Sequence, residues 1–260
     1  MPTLDVGGQR VSYREQGSAR PPLLLVHGAG ASSRVFAEVC GPLARTHWTL
    51  AVDLPGHGRS APWREPVAFE QLIEREVELL ADFGERIGLG RFVLAGHSMG
   101  GAVALHFALR YPDRLAGLAL IATGAVLRVH DAVFQVIERK FDEMADLLAA
   151  TGYSPLSNAR EVEAWARQTV AAPQQVTLDD YRACHRHDVR ERLGEIALPT
   201  VVVSGSDDRL TAPKLQQRLV DGIARARLHS VTRAGHMVVQ ERPDEVVEAL
   251  RSLPLDAAAR

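Results

Sequence analysis

Cysteine is nearly absent: Cys40 and Cys184 are the two in 260 residues. That count excludes a disulfide framework and leaves no zinc-ligand spacing, so reduced thiols and a cytoplasmic location are expected. Excess charge is missing as well, since 30 basic residues face 32 acidic ones for a net charge of −2. Nucleic-acid binding normally demands a basic face, so no nucleic-acid partner is expected. The N-terminus, MPTLDVGGQR, carries Asp5 and no apolar core, and does not read as a secretory signal. One uncharged stretch, Phe92–Leu109, reaches the 18 residues of a minimal membrane span. It contains Gly96, His97, Ser98, Gly100, Gly101 and His106, so a buried strand, a sharp turn and a buried helix are expected instead of a span. Repeats and low-complexity segments are absent. No phosphate-loop motif occurs, and Gly28 and Gly30 lack a third glycine at position 33, so a dinucleotide fingerprint fails. His185, Arg186, His187 and Asp188 lack further ligand-type residues at metal spacing, so neither a metal nor a cofactor is expected.

What is present is an ordinary globular mixture, 46% apolar and 24% charged. A chain of this length buries roughly 70–75% of its unfolded surface and needs no covalent staple. Short apolar runs alternate with longer helical patterns, which predicts strand–helix units around a mostly parallel sheet. The runs Leu23–Val26, Leu50–Val52, Phe92–Ala95, Leu115–Ile121 and Thr200–Ser204 are too short for helices and nearly continuous in apolar character. Strands buried on both faces have that pattern. Arg227–Val231 reads as a last strand, and Thr3–Val6 with Arg10–Glu15 as an edge hairpin. Helices are predicted over Ser33–Leu43, Phe69–Ile87, Met99–Arg110, Pro213–Gly222 and Pro243–Ser252.

Between Gly124 and Gly194 the alternation stops and the pattern is helical, with helices expected over Asp131–Ala150, Ala159–Ala171 and Leu178–His187. A crossover of that length is excessive. It predicts an inserted helical cap, residues 124–194, over a core made of 1–123 and 195–260. Phe134, Ile137, Phe141, Met144, Leu147 and Leu148 form an apolar stripe that mostly packs inward. Phe134, Phe141 and Met144, with Tyr153 and Trp165, are the expected pocket-lining residues. Acids and bases alternate over Asp179–Arg192, which reads as a solvated helix face.

The strongest chemical signal is Gly96-His97-Ser98-Met99-Gly100, between a strand pattern and a helix pattern. A nucleophile on a tight strand-to-helix turn needs glycines that let the two elements approach, and the helix start aims free N–H groups at the site. A helix start with an N-capping serine is the bland alternative. A serine hydroxyl needs a base to remove its proton. Among the histidines, His236 is the best placed, on a loop after the last strand pattern at the sheet's C-terminal end. His97 is expected to point away across the turn and His106 to serve packing. The base in turn needs an acid, and the turn after Thr200–Ser204 offers Asp207 and Asp208, between which physical argument does not choose.

These residues give the chain a resemblance to the α/β-hydrolase superfamily, in its cap-bearing branch of serine carboxylesterases, lactonases and haloperoxidases. Four stretches carry it: His27-Gly28-Ala29-Gly30, Asp53-Leu54-Pro55-Gly56-His57-Gly58-Arg59-Ser60, the Gly96–Gly100 turn, and Gly235-His236 followed by Glu241-Arg242-Pro243. The resemblance implies an eight-stranded, mostly parallel sheet with flanking helices and a cap after the sixth strand. It implies Asp208 as the acid, the backbone N–H groups of Ala29 and Met99 as oxyanion hole, and His27, Asp53 and His57 as loop supports. The expected activity is hydrolysis of small to medium carboxylic esters through an acyl-enzyme, on a small-molecule ester or lactone. Lactone hydrolysis, C–C bond hydrolysis, perhydrolysis on the same triad, and a non-catalytic binder are the alternatives. The sequence fixes no oligomeric state.

Overall fold

The computed structural model describes residues 1–255, so residues 256–260 of the expected core segment lie outside the described residues. Eight strands form one sheet: β1 (Thr3–Val6), β2 (Gln9–Gln16), β3 (Leu23–Val26), β4 (Thr49–Val52), β5 (Phe92–His97), β6 (Leu115–Ile121), β7 (Thr200–Gly205) and β8 (Ala226–Val231). Their spatial order is β1-β2-β4-β3-β5-β6-β7-β8. The pairings β1–β2 and β2–β4 are antiparallel and the rest are parallel.

The apolar runs explain the middle of the sheet. Side chains alternate between faces along a strand, so a strand with helices on both sides must be apolar at every position. In β3, Leu24 and Val26 join the core cluster that includes α2 (Leu72–Arg86) and α3 (Met99–Arg110). Leu23 and Leu25 join the opposite cluster, with α1 (Ala37–Leu43) and α10 (Pro243–Arg251). The uncharged stretch 92–109 is therefore β5, a turn and all of α3 but its last residue, inside this core. No helix of the described residues is long and apolar enough to cross a membrane.

Between β6 and β7 lie α4 (Asp131–Arg139), α5 (Met144–Thr151), α6 (Ala159–Thr169) and α7 (Gln174–Arg186). The single helix expected over Asp131–Ala150 is broken: Lys140 takes φ −148° and ψ 46°. The chain turns at the break and α4 packs on α7, so that Phe134, Ile137, Phe141 and Met144 meet Leu178 and Tyr181 in a satellite cluster. α7 begins at Gln174, directly behind Pro173, earlier than the expected Leu178. It packs on α2 and α3. Beyond β7 come α8 (Pro213–Gly222), a short α9 (Val238–Glu241) and α10.

One core position breaks the apolar pattern. Glu76 shares the buried face of α2 with Leu72, Ile73, Leu79 and Leu80, and is 1% exposed. Neither carboxyl oxygen has a hydrogen-bond partner among the described residues. Burial first, and the Asp180 and Glu74 carboxylates next, push its pKa well above the usual carboxylate range. A buried unsatisfied polar group costs about 1–3 kcal/mol. Glu76→Met is therefore expected to raise Tm, by roughly 2–4 °C for each kcal/mol recovered. Thermal unfolding of the two proteins checks this, and a lower Tm in the variant would mean that the carboxyl finds a partner in solution.

Candidate active site

The turn between β5 and α3 holds Ser98 at φ 54° and ψ −117°, a region that residues with a Cβ rarely occupy. The chain is locked there. Ser98 N–H donates to the Ile121 carbonyl at 3.0 Å, and the Ser98 carbonyl accepts from the Thr123 hydroxyl at 2.8 Å. The flanking glycines have a steric reason. A Cβ on Gly96 would fall on the Gly100 carbonyl, and one on Gly100 would fall on the Val26 carbonyl. The Ser98 side chain makes no capping bond to α3, so the bland capping role is not what its hydroxyl does.

His236 follows β8 on a buried loop, and its Nδ1 lies 3.1 Å from Asp208 Oδ2. The carboxylate is surrounded by donors. Leu210 N–H and Thr211 N–H bond Oδ1 at 2.9 and 2.8 Å. The Thr211 hydroxyl and the Gln216 amide bond Oδ2 at 2.7 and 3.2 Å. Burial alone would raise the Asp208 pKa, but His236 and these hydrogen bonds outweigh it and hold the carboxyl below its usual range. Asp207 faces the other way, with Oδ2 accepting from the Ser154 hydroxyl and Oδ1 from the Ser206 hydroxyl. The geometry thus sets Asp208, and not Asp207, against the imidazole.

His97 does not simply turn away. Its Nε2 donates to the His236 carbonyl at 2.9 Å, and the two rings lie 5.0 Å apart. Burial, and then His236, push its pKa down to about 3, so it braces the loop as a neutral ring. Glu241 holds the same loop from the other side. It accepts from Gly235 N–H at 2.7 Å, Ser154 N–H at 2.8 Å and the Ser157 hydroxyl at 2.7 Å. That ties the His236 loop to the helical segment.

The loop after β3 supplies backbone donors. His27 Nε2 accepts from Leu54 N–H at 3.0 Å, which puts its proton on Nδ1, 2.9 Å from the Gly28 carbonyl. Ala31 N–H reaches the same carbonyl at 3.2 Å. In a trans peptide the C=O and N–H point oppositely, so the Ala29 N–H faces away from these partners. Asp53 supports the neighbouring turn, accepting from Ser33 N–H at 2.8 Å and Arg59 N–H at 2.9 Å.

A cavity of about 220 Å³ joins these parts, and Ala29, Ser98 and His236 all line it. A direct Ser98–His236 hydrogen bond is not among those of the described residues; such bonds are often loose until substrate is present. The helical segment closes the cavity with Leu127–Val129, Met144, Leu148 and Tyr181 among its residues. Arg128, His130 and Arg209 line it, and no Asp or Glu of the described residues does.

The expected pocket set needs correction. Met144 lines the cavity, whereas Phe134, Phe141, Tyr153 and Trp165 do not. Phe134 and Phe141 are consumed by the satellite cluster that the break at Lys140 creates. Tyr153 stacks on Trp165 with ring centres 6.0 Å apart and donates its hydroxyl to Gln240 at 2.9 Å. Asp180, placed on a solvated face by charge alternation, is 1% exposed. Its spacing from Thr177 and Cys184, on one side of α7, was the available signal.

A hydroxyl on a strained turn, an imidazole backed by a carboxylate and an adjoining cavity are parts from which a nucleophilic hydrolase site can be built. Residues 23–249 match the Alpha/beta hydrolase family, and the chain belongs to it; it is a hydrolase with that family's fold. The 2-hydroxy-6-oxo-6-phenylhexa-2,4-dienoate hydrolase of Comamonas testosteroni is 28% identical over 268 positions, covering 93% of this chain and 90% of that protein. A thermophilic esterase from Thermogutta terrifontis superposes with a TM-score of 0.82 at 25% identity, over 94% of this chain and 92% of that one. The enol-lactonase from Burkholderia xenovorans LB400 shares the fold at a TM-score of 0.86 and 24% identity, over 97% and 99% of the two chains.

Proposed function

We propose that the chain is a serine hydrolase that cleaves small to medium carboxylic esters through an acyl-enzyme. The observation that supports this most is that His236, backed by Asp208 at 3.1 Å, lines the same cavity as the strained Ser98. In this reading Ser98 Oγ attacks the ester carbonyl while His236 Nε2 takes its proton. The Ala29 and Met99 N–H groups hold the oxyanion, where each donor contributes on the order of 10²–10³ in rate. His236 then gives the proton to the leaving alcohol; in the second half it takes a proton from the attacking water and hands it to Ser98 Oγ as the bond to the acyl group breaks and the acid leaves. Asp208 keeps the Nδ1 proton in place and stabilises the imidazolium. The helical segment 124–194 acts as the cap that shapes the pocket. Side chains and backbone supply every step.

A second reading, hydrolysis of a C–C bond beside a ketone, is favoured by the Comamonas testosteroni relative and by the basic, acid-free cavity lining, which suits a carboxylate-bearing dienoate. The test is a panel of p-nitrophenyl acetate, an N-acyl homoserine lactone and 2-hydroxy-6-oxo-6-phenylhexa-2,4-dienoate. The aryl ester is expected to give the highest kcat/KM. A dienoate rate above it would install the second reading, and a lactone rate above both would make the protein a lactonase.

A further inference from the structure

One residue of the loop after β3 carries three of the hydrogen bonds that join the helical segment to the core. Gly30 N–H donates to Asp180 Oδ2 of α7 at 2.8 Å. The Gly30 carbonyl accepts from Ala171 N–H at 2.9 Å and Ala172 N–H at 3.1 Å, in the turn between α6 and α7. Both polar groups of this glycine are therefore held by the segment, immediately after Ala29. The fit is close: Gly30 sits at φ +66°, and a Cβ there would come within 3.1 Å of the Thr177 side chain on α7.

Asp180 is itself anchored. The same Oδ2 receives His57 Nε2 at 2.8 Å, and His57 Nδ1 donates to the Pro55 carbonyl at 3.0 Å. Both ring nitrogens meet acceptors, as an imidazolium requires. Burial opposes that charge, but Asp180 outweighs it and holds the ring above its usual pKa. Hydrogen bonds to ionised groups are the strong ones, so the oxygen facing Gly30 is fixed from the core as well as from α7. Stability alone does not explain an acid here, because apolar replacements for buried ion pairs are often as stable.

We infer that Asp180 is a positioning residue: with Ala171 and Ala172 it clamps Gly30, and so aims the adjoining Ala29 N–H, making the oxyanion hole complete only while the helical segment is docked. This rests on the proposed roles of Ser98 and Ala29. A donor held to within a fraction of an ångström is what transition-state stabilisation needs, and a misplacement near 1 Å can cost about 10²-fold.

The test compares full-length wild type, Asp180→Ala and Asp180→Asn, each well below its own Tm, in p-nitrophenyl acetate turnover and in the rate of fluorophosphonate labelling at Ser98. For Asp180→Ala, kcat and labelling rate are expected to fall by about 30-fold or more, with KM within about threefold. Asn keeps an oxygen for Gly30 N–H, so Asp180→Asn should recover to within about tenfold of wild type. A purely structural acid would lower Tm and leave kcat within about twofold, which would overturn the inference. If Asp180→Ala does not fold, Asp180→Asn decides: a fall of about three- to tenfold in kcat at constant KM supports the clamp, and an unchanged kcat overturns it. Wild type that labels normally beside an indifferent Asp180→Ala removes the clamp alone. Wild type that neither turns over nor labels removes the serine hydrolase reading and the clamp with it.

Discussion

Replacing Ser98 by alanine is expected to lower p-nitrophenyl acetate turnover by about 10⁴–10⁶-fold and to abolish phosphonate labelling. The size follows from the role proposed for it. Without the hydroxyl no acyl-enzyme can form, and what remains is the contribution of the oxyanion donors and of binding, roughly 10³–10⁴ over water. The fold should survive. Alanine retains the Cβ that already sits at φ 54°, and the contacts that lock the turn are backbone ones from Ser98 to Ile121 and Thr123. Unchanged Tm with lost turnover is the expected pair of measurements, and undiminished labelling of the variant would end the assignment.

Asp208→Asn is the second large effect, a loss of about 10³–10⁴ in kcat. The environment of Asp208 contains donors alone: Leu210 and Thr211 N–H, the Thr211 hydroxyl, the Gln216 amide and His236 Nδ1. An asparagine amide must turn its NH₂ toward some of them. If its oxygen serves the two backbone N–H groups, the NH₂ faces His236 Nδ1 and forces the imidazole proton onto Nε2. That tautomer cannot accept the Ser98 proton. Asp207→Asn is the control, because Asp207 bonds Ser154 and Ser206 instead, and its kcat should stay within about threefold of wild type. A larger loss at 207 than at 208 would reverse the assignment of the acid.

The sheet was legible because its central strands obey a strict rule. Leu23–Val26 and Leu115–Ile121 run as read, since every position must be apolar when both faces are covered. The turn at Ser98 was legible for a similar reason, as Gly96 and Gly100 have no substitute where backbone meets backbone. The segment between β6 and β7 was less so. Apolar spacing through Asp131–Ala150 fits one helix as well as two, and nothing local marks Lys140 as the break. The aromatic residues there went to packing against α7, a long-range outcome that periodicity does not encode. Asp180 was missed because the alternating charges around it outweigh its spacing from Thr177 and Cys184, and because the partners that bury it, Gly30 and His57, lie far away in sequence.

Gly30 is fastened through α7 and the turn before it, whereas much of the cavity wall comes from residues 127–148, earlier in the same segment. The stretch that holds Gly30 adds Thr177, Tyr181 and Cys184 to the cavity wall, while Leu127, Val129, Met144 and Leu148 line it without touching that anchor. Under the proposed function, shuffling the stretch that contains Leu127, Val129, Met144 and Leu148 is expected to diversify the accepted substrate while the Gly30 anchor stays in place, which makes this scaffold suited to combinatorial retargeting.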